Sequence, residues 1–153
     1  MSVEVQKVAT TSNDMIVAKF TPKTLKLATK NNQEFVCGWR RRPNADTSTH
    51  VLVMLEYNGK YRVVGDGYLS EEPHKNDARF GKDFPFTASI SNVRFITDPQ
   101  DFLKSPLEFP AKSISKDPSS VTYTNAARAI VKLDRLWVEG KVSGFDAISS
   151  WNV

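Results

Sequence analysis

The sequence predicts one α+β domain with a curved or barrel-like, mostly antiparallel sheet and flanking helices. Three observations predict it. Short apolar runs of strand length recur at Met15–Phe20, Phe35–Trp39 and Val51–Tyr57, and such runs bounded by turn residues read as buried strands. Asn58-Gly59 separates the third run from Lys60–Gly67. Both turn residues accept the positive φ of a type I′ turn, which makes this a strong hairpin signal. Clear helical periodicity is confined to two stretches, 21–30 and 125–139.

In chain order, residues 1–13 are polar and β-prone, a flexible arm or an edge strand. Met15–Phe20 is the first strand. Thr21-Pro22 then supplies an N-cap and a proline at the first helical position. The helix runs to about Lys30, with Leu25 and Ala28 inward and Lys23, Lys26 and Lys30 outward. Phe35–Trp39 returns as a strand, and Val51–Tyr57 is apolar enough to be covered on both faces. In its partner strand Gly65 and Gly67 indicate a bulge or a close backbone approach. Residues 70–83 read as a long polar loop, and such loops are often functional. Phe84–Ile90 alternates at period 2, and Val93–Ile96 continues it past an irregularity at Asn92. Residues 97–120 carry four prolines and read mostly as loop, with a short turn at Gln100–Lys104. Asn125–Glu139 is the clearest helix. Ala126, Ala129, Ile130, Leu133, Leu136 and Trp137 form its inner stripe, and Arg128, Lys132, Arg135 and Glu139 lie on the other side. Gly140 caps it, and Phe145–Trp151 reads as a second short helix.

A length of 153 residues suits a single domain over 1–153. The lone cysteine, Cys37, excludes an internal disulfide framework and a cysteine-based zinc site, and it fits a reducing compartment. Neither a run long enough to cross a membrane nor a signal peptide is recognisable, so an intracellular protein is expected. The net charge of +4 is a mild bias toward anionic partners.

No catalytic signature, phosphate-cradling glycine loop or dinucleotide fingerprint is present, so no cofactor and no enzymatic residue is expected. The two histidines, His50 and His74, have no metal-ligand spacing. His74 with Glu71, Glu72, Asp77 and Asp83 offers a metal-dependent nuclease reading, against which stands an ordinary solvated loop. The richer constellation is Trp39 followed by Arg40, Arg41 and Arg42. An indole can stack on a base and guanidiniums neutralise phosphates. The alternative is a Trp39 packed in the core beside a solvated strand end. Tyr68, Phe80, Phe84 and Phe86 also fall at strand ends or in the long loop. Phe84 and Phe86 are open to a core reading as well.

The order of these elements resembles the PUA-like superfold, nearest to YTH and EVE domains, over about residues 14–96. The likeness rests on Lys19 at the first strand's end, Trp39 after the first helix, the strand Val51–Tyr57 and the turn Asn58-Gly59. It continues in Val64-Gly65-Asp66-Gly67, in Glu72-Pro73, and in Phe84-Pro85-Phe86. YTH domains hold N6-methyladenine in an aromatic cage, and EVE domains are associated with modified bases in RNA or DNA. The resemblance implies Trp39 as the first wall of a base pocket. No tryptophan lies in 70–86, so Phe80 or Phe84 stands where a second wall belongs. The expected function is therefore non-catalytic binding of RNA or DNA. Trp39, Phe80, Phe84 and Tyr68 form the pocket, and Lys19, Lys23, Arg40, Arg41 and Arg42 contact phosphates. The competing expectation is a protein-interaction module with an aromatic rim.

Overall fold

The computed structural model describes residues 15–29, 34–57, 60–103, 108–110 and 123–151. The proposed arm, Lys30 and the two turn residues Asn58-Gly59 lie outside the described residues. Five strands follow one another across the sheet in the order β1-β3-β4-β6-β2. They are β1 (Met15–Phe20), β2 (Phe35–Trp39), β3 (His50–Tyr57), β4 (Lys60–Leu69) and β6 (Phe86–Ile96). β1 and β3 are parallel, and the other ladders are antiparallel, so the sheet is mixed. Three short strands extend it. β5 (His74–Lys75) and β8 (Val142–Ser143) pair with β6, and β7 (Glu108–Pro110) pairs with β4. The sheet curls into a half-barrel, the α+β architecture expected.

The curl has local causes. β3 and β4 pair up to Tyr57 opposite Lys60, as a tight two-residue connection requires, and their register shifts between Val53 and Met54. Such a shift bends a strand and raises its twist. Gly65 lets β4 lie close against β6. A Cβ there would come within 2.2 Å of the Arg94 carbonyl oxygen and 2.5 Å of the Phe95 ring. The irregularity at Asn92 does not end the strand. Asn92 takes φ 52° inside a continuous β6, a left-handed conformation that asparagine tolerates better than most residues.

α1 (Pro22–Ala28) starts as its sequence dictates. The Thr24 amide donates to the Thr21 hydroxyl at 3.2 Å, and the Thr21 amide donates to the Thr24 hydroxyl at 2.8 Å. Two amides that the helix leaves unpaired are thereby satisfied. Leu25 and Ala28 are buried, and Lys23 and Lys26 are exposed. The 70–83 segment is more ordered than its composition implies. Besides β5 it holds α2 (Asp77–Phe80), whose N-cap Asn76 accepts a bond from the Ala78 amide. The Glu71 carboxylate fastens the start of the segment by accepting from the Ser89 amide and hydroxyl at 2.8 and 2.9 Å.

After β6 come α3 (Pro99–Leu103) and α4 (Tyr123–Val138), then a 3-10 turn, Phe145–Ser150. Ala129, Leu133 and Leu136 of α4 are buried as the periodicity requires. Trp137 is a correction: it is 60% exposed. It sits at the border of the apolar stripe, where the helix surface turns away from the sheet. Cys37 is fully enclosed in the core, and burial pushes its thiol pKa up, which fits a small packing residue and not a nucleophile.

Aromatic rings link the parts of this core. Phe20 packs on Phe35 at 5.4 Å between centroids, Phe35 on Phe95 at 4.9 Å, and Phe95 on Trp151 at 6.1 Å. Trp151 also packs on Phe102 of α3 at 5.0 Å and donates its indole N–H to the Ile96 carbonyl at 2.8 Å. The C-terminal turn is thus bonded to the end of β6.

Trp39 belongs to this core too. Its ring is 4% exposed, and its indole N–H donates to the Val17 carbonyl at 2.9 Å. β1 and β2 are the two ends of the strand path, so this bond bridges the sheet's own edges. Trp39→Phe keeps an aromatic ring and removes the donor. It is expected to cost about 1–3 kcal/mol, because the buried carbonyl loses its partner. Trp39→Ala is expected to cost about 3–5 kcal/mol. Urea denaturation of the two variants checks the order. Equal stability of Trp39→Phe and the parent protein would show that the bond contributes nothing.

Candidate functional site

A shallow cleft opens where the ends of β1 and β2 meet the 70–83 segment. Lys19, Phe20, Thr24, Gly38, Phe80 and Phe84 line it. Each is delivered by a local rule. Lys19 and Phe20 end β1, and Thr24 is the residue that completes the cap of α1. Gly38 is the position where β2 accepts a covering ring. A Cβ there would lie 2.5 Å from Phe80 Cδ2, so any larger residue would push Phe80 away. Phe80 also packs edge-on against Phe20 at 6.2 Å.

The segment carrying Phe80 is tied down on both sides. Arg79 donates from Nη1 to the Leu27 carbonyl of α1 at 3.0 Å, and the Asn76 amide donates to the Pro85 carbonyl at 2.6 Å. The Arg79 bond also satisfies a carbonyl in the last turn of α1, where intrahelical donors run out. The cleft is therefore built on fixed elements.

Cations surround it. The Arg40 guanidinium lies 5.8 Å from the Phe84 ring centroid, in cation–π range. Arg40, Arg41 and Arg42 are all exposed, immediately after β2. The Lys19 ammonium lies 6.0 Å from the Tyr61 ring centroid. Lys23 is exposed on α1, next in sequence to the cleft residue Thr24. The cleft offers about 10 Å³ to the centre of a water-sized sphere, room for roughly one water molecule. A nucleobase does not fit inside. A planar ligand has to lie across the mouth, against the partly exposed Phe84 and Phe80.

Several expected pocket residues change role. Phe80 and Phe84 do line one cleft, with Lys19 beside them. Trp39 is not a wall of it, because both faces of the indole are buried and its polar edge is already bonded to Val17. Tyr68 does not line the cleft either. It is 41% exposed, and its ring stacks on His50 at 4.7 Å with 15° between the planes. The acidic loop residues do not gather. Among the described residues no group of three or more His, Cys, Asp or Glu converges as metal ligands.

The Tyr68–His50 stack borders a second cluster, one that sequence reading missed. Asp66 of β4 is buried. Its carboxylate accepts from Arg94 Nε at 2.9 Å and Nη2 at 2.8 Å, a two-pronged fork. The His50 ring nitrogen Nε2 lies 2.8 Å from the same carboxylate. Arg94 Nη1 reaches Asp134 of α4 at 2.7 Å. Burial works against the charge of Asp66, yet the bonds and charges of Arg94 and His50 outweigh it and hold its pKa below the ordinary carboxylate value. The same contacts raise the pKa of Arg94. One signal was available: a lone aspartate between two glycines in an apolar strand must find partners if buried.

No helix among the described residues is long and apolar enough to cross a membrane. Comparisons with protein-family models, with curated proteins and with solved structures return no match.

The Asp66 network has a pH signature. Its folded-state pKa is depressed, so its contribution is fully present above the unfolded carboxylate value near 4 and is lost as pH falls through the folded value. The stability difference between the parent protein and Asp66→Asn is expected to be largest near neutral pH and to shrink below about pH 4. Denaturation midpoints measured across pH check this, and a gap independent of pH would contradict it.

Proposed function

We propose that this chain is a nucleic-acid-binding domain of PUA-like type. The surface after β2 meets the phosphate backbone, and the mouth of the Phe80–Phe84 cleft meets a base. One observation carries the reading: Arg40 stacks over Phe84 at the rim of a cleft that also contains Lys19, with Arg41 and Arg42 exposed beside it. The parallel β1–β3 pair joined through α1, followed by an antiparallel run that curls the sheet, is consistent with the PUA-like resemblance.

The division of labour follows from the chemistry. Phosphates are held by exposed cations, a contact that releases counterions and carries no base preference. A base lies on Phe84, with the Arg40 guanidinium able to stack or to bond its edge. Small cleft volume and a buried Trp39 favour an unpaired base laid over the rim instead of one enclosed in a cage. Single-stranded RNA or DNA is the fitting class, because only an unpaired base presents its face.

Arg40, Arg41 and Arg42 changed together to alanine are expected to weaken binding of a single-stranded oligonucleotide. The slope of log affinity against log salt should flatten by about one unit or more. Phe84→Ala is expected to cost about 1–3 kcal/mol of binding and to leave that slope unchanged. Fluorescence anisotropy at several salt concentrations reads both effects. Parallel titrations with unmodified and N6-methyladenine oligonucleotides test for a modified-base preference. Salt-independent binding, or a slope unchanged in the triple variant, would overturn the reading.

A further inference from the structure

The outer surface of α4 carries a second feature. Val131 is 57% exposed and Val138 is 84% exposed, among the few large apolar side chains so exposed in the described residues. They are seven residues apart, so they stand two turns apart on one stripe. That stripe lies opposite the buried side formed by Ala129, Leu133 and Leu136. Asp134 flanks it on one side and Arg135 on the other, both exposed. Trp137, also exposed, follows Asp134 one turn along that flank.

This pattern is complementary to itself. Consider a two-fold axis crossing α4 between positions 134 and 135, with a second α4 running antiparallel. Val131 then faces Val138 of the partner subunit, and Val138 faces Val131 of the partner subunit. Asp134 faces Arg135 of the partner subunit, and the exchange is reciprocal, as a closed two-fold interface requires. Reversing either helix would oppose like charges or separate the valines. Asp134 keeps its bond to Arg94 through one oxygen, which fixes the carboxylate and leaves its other oxygen to accept from outside.

We propose that the occupant of this surface is a second copy of the same chain, docked antiparallel through α4. The surface is small, so the dimer belongs to the weak, reversible class of interfaces. The valines supply apolar burial, and the crossed Asp134–Arg135 pairs set direction and register.

Sedimentation equilibrium of the full chain, from about 10 μM to about 1 mM, tests the proposal. A reversible monomer–dimer equilibrium is expected. Val138→Glu should raise its dissociation constant at least about tenfold. Arg135→Glu should weaken it similarly by placing like charges across the axis, while Arg135→Lys should retain it. Val138 and Arg135 are exposed, and circular dichroism confirms that the variants are folded. A chain that stays monomeric over this range would overturn the proposal and leave the surface to a different protein. A dimer indifferent to both Val138→Glu and Arg135→Glu would overturn it as well.

Discussion

The bond from the Trp39 indole to the Val17 carbonyl is the constraint on which the half-barrel depends. A curled sheet that does not close has two edges, and each edge exposes backbone groups without a strand to pair with. Here those edges belong to β1 and β2, which no backbone ladder joins among the described residues. Trp39 spans the gap with a side chain. Its ring fills the interior under the seam while its N–H satisfies an edge carbonyl. A buried indole needs an acceptor and a buried carbonyl needs a donor, so each group solves the other's problem. Trp151 repeats the device at the far end of the molecule, against Ile96.

The cleft is a consequence of that seam. With Trp39 turned inward, its neighbour Gly38 faces outward, as the alternation of a strand demands. Phe80 settles on the bare glycine and touches Phe20 behind it. Arg79 then anchors α2 to α1. The next residues after β2 are arginines, and the end of the strand delivers Arg40 onto Phe84. One inward residue thus sets the facing of its outward neighbour, the seat of Phe80 and the exit of the basic run. Trp39 serves the site by positioning it, without touching a ligand.

Features whose causes are local could be read from the residues alone. Thr21-Pro22 started a helix, Gly65 marked a close approach of backbones, Asn92 marked an irregular strand, and the Leu133–Leu136 side of α4 faced the core. Features whose causes are distant could not. Whether Trp39 is buried depends on Val17, 22 residues away, lying beside it across a seam. The Asp66 network joins residues from three strands and a helix, with Arg94 28 residues and Asp134 still further along the chain. The order in 70–83 comes from Arg79 and Glu71 finding partners on α1 and β6, which polar composition cannot disclose. Trp137 fitted the helical period, yet its place at the border of the stripe was decided by where the sheet ends.

The most direct test of the account is a two-dimensional amide spectrum recorded while a single-stranded oligonucleotide is added at low salt. The account predicts shifts confined to the ends of β1 and β2, the start of α1 and the Phe80–Phe84 segment. The Trp39 indole N–H signal should stay in place and exchange slowly with water, as a buried, bonded donor must. Shifts centred instead on Tyr68 and Arg94, or a Trp39 indole signal that moves and exchanges rapidly, would contradict it.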